Sequence, residues 1–214
     1  MLVLRYKDEI LNLVDREFIP SSYFDTLFSG YYEYEMFLKE KNRISKLGQN
    51  NPNYCPGATS VGIEAHAKYR QNFHPNEVEY EVEGVYKGLL IKGKLDRVNL
   101  ERTEFEEWKT GNGGKITPGM EARTHILAYL LYLQTENLPI KYHLKVWGAD
   151  REMKFGVEPS EQKTYSLNNL TMTRTLFYMN KVIEYFTGEV SVRARPTMGG
   201  CRVCDWKSKC EVKY

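Results

Sequence analysis

The sequence predicts a mixed α/β domain whose central sheet is flanked by helices. Runs in which apolar and polar residues alternate, as they do in strands, occupy residues 77–109 and return at 140–158. Segments with apolar residues at helical spacing precede, separate and follow these runs. A chain of 214 residues that is 42% hydrophobic is long enough to form one domain around its own core.

The N-terminal part is predicted to be helical. Residues 9–18 carry apolar side chains at helical spacing, and residues 20–41 begin with a proline and two serines, which are typical of a helix start. Residues 47–60 are rich in glycine, asparagine and proline and therefore predict a loop. A third helix is expected over residues 61–71, after Thr59 and Ser60.

An antiparallel meander of three strands is predicted next, over residues 77–83, 88–101 and 104–109. The glycine-rich residues 110–119 predict a loop. Thr117 and Pro118 then suit the start of a helix that continues over residues 120–137.

The C-terminal third is expected to add two strands, a helix and an irregular tail. The strands are predicted at residues 140–148 and 152–158, and the helix at residues 165–186. The tail from residue 191 onward is rich in cysteine and is basic. Its six basic residues outnumber Asp205 and Glu211; they are Arg193, Arg195, Arg202, Lys207, Lys209 and Lys213.

The overall charge and hydropathy indicate an ordinary intracellular protein. A net charge of +2 and a pI of about 8.2 do not by themselves indicate a nucleic-acid-binding protein. The longest strongly apolar run, at residues 126–133, is far shorter than the roughly 20 residues that a membrane-spanning helix needs. The N-terminus becomes charged too early for a secretory signal, so we expect a cytoplasmic location and no membrane partner.

Acidic and basic side chains are concentrated on two of the predicted strands. Glu107 and Lys109 are two residues apart and therefore share a face, while Glu106 points with Trp108 to the other face. Asp96 lies on the strand that should be adjacent. Two carboxylates, a lysine and the backbone carbonyl of Trp108 could form a Mg²⁺ or Mn²⁺ site. The same residues are also typical of a solvated strand face, and Glu106 is predicted to be structural or solvated.

Two helical histidines add to this pattern. His66 follows Gly62 by four residues, and His125 precedes Tyr129 by four, so that each pair shares a helix face. Taken alone, either histidine is more typical of a packed or solvated side chain than of a metal ligand.

The four cysteines are Cys55 and a C-terminal group with two and then five intervening residues, Cys201, Cys204 and Cys210. In a reducing compartment such cysteines are metal ligands or free thiols rather than disulfides. A zinc knuckle, an iron–sulfur cluster and unligated thiols all remain open from the spacing alone.

The order of these motifs resembles the RecB-like branch of the PD-(D/E)xK nucleases. That order is Gly-x-x-x-His, Gly-x-x-Asp, Glu-x-Lys and a helix with a polar residue and a tyrosine four apart. The resemblance implies a restriction-endonuclease-like core in which His66, Asp96 and Glu107 hold Mg²⁺ or Mn²⁺ and Lys109 assists the attacking water. It also implies that Tyr129 orients the lysine or the phosphate. His125 stands where the family usually has glutamine and is expected to assist Tyr129.

The cysteine pattern resembles the iron–sulfur nucleases of the same branch, including the Cas-four-type CRISPR-associated exonucleases. The resemblance implies a 4Fe-4S cluster that ties the two ends of the chain together, with four ligands: Cys55, Cys201, Cys204 and Cys210. It also implies a single nuclease domain over residues 1–214. This domain would consist of an N-terminal helical part (1–58), a core (59–190) and a basic tail (191–214).

The expected activity is that of a metal-dependent DNA exonuclease that prefers single-stranded ends. The resemblance leaves open a role in CRISPR adaptation, in recombination and repair, or in viral DNA processing, which would place the protein in a host cytoplasm. DNA is the expected partner, with integrase-complex proteins as possible further partners. The alternative is a nucleic-acid-binding or scaffold module that keeps the metal-binding tail but has lost catalysis.

Overall fold

The computed structural model describes residues 18–21, 56–148 and 152–186. The expectations for the two N-terminal helices, the four cysteines and the basic tail lie outside these residues. Within the described parts of the chain, none of the helices is long and apolar enough to cross a membrane.

Six strands and three helices make up the described structure. The strands are β1 (Ile19–Pro20), β2 (Val78–Tyr86), β3 (Leu89–Val98), β4 (Glu104–Thr110), β5 (Ile140–Trp147) and β6 (Glu161–Leu167). The helices are α1 (Pro56–Arg70), α2 (Pro118–Thr135) and α3 (Met172–Phe186). Short 3₁₀ turns at Pro75–Glu77 and Asn112–Gly114 precede β2 and follow β4.

The strands form one mixed sheet, which confirms the predicted α/β class. The meander β2–β3–β4 and the pair β5–β6 are antiparallel, whereas β4 and β5 are parallel. Helix α2 makes the crossover between these two parallel strands, as parallel neighbours require. β1 pairs in parallel with the first half of β3. It lies along the same edge of β3 that pairs with β4 near the other end of the strand.

Helices α1 and α2 cover opposite faces of the sheet. Phe105 and Tyr142 belong to the core beneath α2, whereas Trp108 and Trp147 pack against Tyr69 of α1. Because residues an odd number of positions apart on a strand point to opposite faces, these two apolar clusters lie on the two sides of β4 and β5. The side chains of β4 therefore reach both helices.

A glycine on β3 allows α2 to dock closely. A Cβ atom at Gly93 would lie 2.4 Å from Cδ2 of Leu127 and 2.8 Å from Oγ of Ser21. A larger residue would therefore force the side chain of Leu127 or Ser21 to shift from this contact. This contact sets the height of α2 above β3.

Three of the predicted boundaries are wrong. Residues 56–60 form the first turn of α1 instead of a loop, because a proline is well suited to the first position of a helix. Residues 152–158 form no strand; Gly156 adopts a φ of +83° in a turn there. The strand lies at 161–167 instead, where Leu167 is buried, so that α3 begins at Met172 rather than at residue 165.

Candidate active site

Strands β3 and β4 separate into a fork soon after they meet. Their pairing covers only Arg97 opposite Glu106 and Val98 opposite Phe105. At the next position, Oδ2 of Asp96 accepts a hydrogen bond of 2.8 Å from the backbone N–H of Trp108. A side chain thus replaces a ladder hydrogen bond, and the Asp96 carboxylate is fixed at the opening of the fork.

Helix α1 brings His66 to this carboxylate. Nδ1 of His66 lies 3.4 Å from Oδ1 of Asp96, and the two side chains keep 21% and 22% of their surface exposed. One turn earlier, a Cβ atom at Gly62 would lie 2.9 Å from Oγ1 of Thr110. The glycine therefore lets α1 approach the end of β4 closely enough for the imidazole to reach Asp96.

Glu107 and Lys109 point the same way from β4, as their spacing predicts. Nζ of Lys109 donates to Oε1 of Glu107 and lies 3.2 Å from the carbonyl oxygen of Trp108. The Glu107 side chain is fully buried, whereas that of Lys109 keeps 16% exposure. The ammonium therefore contacts a buried acid while the lysine side chain keeps some contact with solvent.

Arg123 is a second cation at Glu107, and sequence reasoning did not identify it. Its NH1 atom lies 3.2 Å from Oε1 of Glu107, the same oxygen that Lys109 contacts. Arg123 precedes Leu127 by one helical turn, and Leu127 packs on Gly93 of the sheet. This spacing is the signal that could have placed Arg123 on the sheet-facing side of α2.

The two carboxyl groups differ in their pKa. Burial alone would raise the pKa of Asp96, but the hydrogen bond from His66 and the charge of Lys109 lower that pKa to about 2. For Glu107, complete burial dominates over Arg123 and Lys109 and raises the pKa above its usual value, with the Asp96 charge adding to the rise. The site therefore combines one firmly ionised carboxylate with one that needs a positive charge nearby.

Glu106 points away from this group, which confirms its structural interpretation. Oε1 of Glu106 lies 3.2 Å from NH1 of Arg97, and Oε2 accepts a 2.8 Å hydrogen bond from the indole N–H of Trp108. Oε2 also lies 2.9 Å from Nζ of Lys145. These contacts hold β4 to its neighbours from the face opposite Glu107.

His125 and Tyr129 lie elsewhere, which corrects the expectation that they line the site. Nδ1 of His125 is 2.6 Å from the hydroxyl of Tyr142, and the ring of Tyr129 packs edge-on against Tyr86 with 6.1 Å between centroids. Since a helix turns by about 100° per residue, these two positions point about 200° and 240° around α2 from Arg123. Both side chains therefore face the aromatic core and not Lys109.

The comparison with known families decides the assignment of this fold. The profile of the PD-(D/E)XK nuclease superfamily matches residues 43–211. The chain belongs to this superfamily. No curated protein sequence matches it.

One solved structure supports the fold of this PD-(D/E)XK superfamily member, and a second is reported beside it. The crystal structure of SSO0001 has a TM-score of 0.57 at 16% identity, over 100% of this chain and 98% of that one. A candidate exonuclease from Eubacterium rectale has a TM-score of 0.47 at 11% identity, over 88% of this chain and 87% of that one. At these identities the first likeness bears on the fold alone, and the second carries no further argument.

The side chains of this candidate site include donors of the kind that a divalent cation binds. Oε2 of Glu107 is buried and has no hydrogen-bond partner, so a buried acceptor is left for a further positive ligand. Carboxylate oxygens with one imidazole nitrogen are a donor set suited to Mg²⁺ or Mn²⁺. Among the residues that the structure describes, no three histidine, cysteine or acidic side chains are already gathered around a common point. Loading would therefore require these side chains to move closer together.

Proposed function

We propose that this protein is a metal-dependent deoxyribonuclease of the RecB-like branch that digests DNA from single-stranded ends. The observation that carries the proposal is that two pairs, His66 with Asp96 and Lys109 with Glu107, lie on the neighbouring strands β3 and β4 and the helix beside them. Superfamily membership supports a nuclease, and the site residues occur in the order of the RecB-like motifs.

His66, Asp96 and Glu107 would hold the ion, with the Trp108 carbonyl as a further oxygen donor. When bound, the ion supplies Lewis-acid activation of the phosphate and of the attacking water. Among these proposed ligands, Asp96 is the one whose charge and orientation are best defined. Asp96 is ionised at any working pH, because its pKa is about 2, and the backbone N–H of Trp108 fixes its direction.

Lys109 would act on the reacting groups. Its ammonium lies 3.2 Å from the Trp108 carbonyl oxygen, and its side chain keeps 16% exposure. It would orient the attacking water and stabilise the negative charge that develops on the phosphate oxygens. The water oxygen forms a bond to phosphorus while the bond from phosphorus to the leaving sugar oxygen breaks. The attacking water gives up a proton to solvent, and the leaving sugar oxygen takes one up, so that one strand fragment then carries the phosphate and the other a hydroxyl.

The proposal includes a 4Fe-4S cluster on Cys55, Cys201, Cys204 and Cys210. It rests on the resemblance of the cysteine pattern to that of the iron–sulfur nucleases. The proposed contact of the tail with DNA phosphates rests instead on the excess of basic residues from residue 191 onward. Purified protein is expected to absorb visible light near about 400 nm, as thiolate-bound iron–sulfur centres do. A colourless protein that contains stoichiometric zinc would show that the cysteines bind zinc and not an iron–sulfur cluster.

The proposed biological settings are CRISPR adaptation with integrase-complex proteins, recombination and repair, or viral DNA processing.

Digestion of end-labelled DNA tests the proposed activity. Wild type with Mn²⁺ is expected to shorten single-stranded DNA faster than blunt duplex, whereas Asp96→Ala and Lys109→Ala should lose activity by about 100-fold or more. All three proteins should bind DNA alike in Ca²⁺. If wild type in Mn²⁺ cuts no better than the variants, the protein is a binding or scaffold module. If duplex is cut as fast, the preference for single strands is wrong.

A further inference from the structure

Arg123 has no place in the motif order that predicts the site, yet it contacts the most buried acid there. We propose that its guanidinium takes the place of the divalent cation at Glu107 in the metal-free protein and thereby sets the cation concentration at which the site loads. This inference rests on the proposed metal-dependent function, because it concerns the same carboxylate.

The charges of the site balance without a metal. When both acids are ionised, Asp96 and Glu107 contribute two negative charges, and Lys109 and Arg123 contribute two positive charges. A fully buried carboxylate without a nearby cation would be strongly destabilising. NH1 of Arg123 lies 3.2 Å from Oε1 of this carboxylate and so provides such a cation. The guanidinium therefore does the electrostatic work that a bound ion would otherwise do.

The two oxygens of Glu107 have different surroundings. Lys109 and Arg123 both contact Oε1, whereas Oε2 is buried and has no hydrogen-bond partner. An ion could therefore bind Oε2 without first breaking a hydrogen bond. It would still meet the repulsion of Arg123 across the same carboxylate.

Arg123 also has space into which it can move. Its side chain lines an open cavity of about 550 Å³ between α2 and the β2–β3 hairpin, with Lys92, Gly93 and Lys94 on the sheet side. The helix that carries Arg123 is fixed by the contact of Leu127 with Gly93. The guanidinium can therefore withdraw into the cavity when an ion arrives, while the backbone of α2 stays in place.

The repulsion between Arg123 and the ion is large enough to produce a measurable change in metal affinity. A divalent ion and a unit charge about 6 Å apart repel each other enough to change affinity by about tenfold, even at the dielectric constant of water. Loss of the charge at position 123 should therefore tighten metal binding, whereas a residue that only orients Glu107 would weaken it when removed. The sign of the change separates the two roles.

Titration of the full-length protein with Mn²⁺ at pH 8, with free Mn²⁺ followed by electron paramagnetic resonance, tests the proposal without any turnover. Arg123→Gln is expected to bind Mn²⁺ about tenfold tighter than wild type, and Arg123→Lys, which keeps the charge, within about threefold of it. Lys92→Gln is the matched control. Lys92 lines the same cavity but pairs with Glu83, so its loss should change affinity by no more than about twofold.

The other possible outcomes of the Mn²⁺ titrations either support or contradict the proposed role of Arg123. Equal or weaker binding by Arg123→Gln overturns the inference. An Arg123→Gln protein that folds only once Mn²⁺ is added supports it, and one that stays unfolded in saturating Mn²⁺ contradicts it. If wild type shows no Mn²⁺ binding that is lost in Glu107→Gln, the proposed metal-dependent function is wrong as well. If Glu107→Gln abolishes binding but Arg123→Gln does not tighten it, only the role of Arg123 is wrong.

Discussion

The two helical histidines have different surroundings, although each lies on a helix four residues from the other member of its motif. That residue is Gly62 for His66 and Tyr129 for His125. His66 is partly exposed beside Asp96. His125 keeps only 4% of its surface exposed and packs against the rings of Tyr142, Tyr165 and Tyr178. Helical spacing shows which residues share a face but not what that face meets. Only the packing of α2 on the sheet distinguishes a core histidine from one at the site.

The buried histidine makes the fold sensitive to acid. Burial, together with the charge of Arg174, lowers the pKa of His125 to about 4 from an ordinary 6.5. Between these values the unfolded chain binds a proton that the folded chain does not, so stability falls as the pH falls from 6.5 to 4. We expect the free energy of unfolding of wild type to fall by up to about 3 kcal/mol more than that of His125→Phe over this range.

Urea unfolding at a series of pH values measures this difference. Glu107 titrates in the opposite sense, since its raised pKa favours the folded state as the pH falls. That contribution is common to wild type and His125→Phe and therefore cancels in the comparison. Parallel pH profiles for the two proteins would show that His125 does not stay neutral in the fold.

The elements that carry the site are positioned by close backbone approaches. Gly62 lets α1 approach the end of β4, and Gly93 lets α2 approach β3. The sequence motif contains both glycines, but their spacing alone does not show what each one contacts. In the structure, these close approaches lie four residues before His66 and three residues before Asp96.

Replacement of Gly93 tests the docking of α2. Gly93→Ala is expected to reduce the free energy of unfolding by about 1–3 kcal/mol, because the new methyl group overlaps the Leu127 side chain. Leu127→Val removes part of that overlap, so the double variant should be more stable than the two single effects predict, by about 0.5 kcal/mol or more. Urea unfolding of the four proteins completes the cycle. Strict additivity would mean that the two side chains do not meet.

Some elements could be predicted from local pattern and others could not. The alternation over β2, β3 and β4 predicts their pairing, since hairpin neighbours are close in sequence. Residues 152–158 alternate as well but form no strand, because β5 pairs instead with Glu161–Leu167. The alternation of apolar and polar residues does not specify which of two adjacent segments will pair with the edge of β5.

At the scale of the whole molecule, the site combines side chains from α1, β3, β4 and α2. The order of His66, Asp96, Glu107 and Lys109 along the chain could be interpreted from the sequence because it resembles a family motif. Arg123 could not, because its role depends on a contact between a helix and a strand that only the fold creates. Whether residues 1–214 act as one domain stays a prediction.

The central claim is that this fork binds a divalent cation between two strands and a helix. Anomalous diffraction from crystals soaked in Mn²⁺ tests it most directly, with Asp96→Asn crystals as the control. We predict a manganese peak within ligand distance of His66, Asp96 and the free oxygen of Glu107 in wild type, and its loss in the variant. A map without a peak between these side chains, or with manganese bound only elsewhere on the chain, would contradict the account.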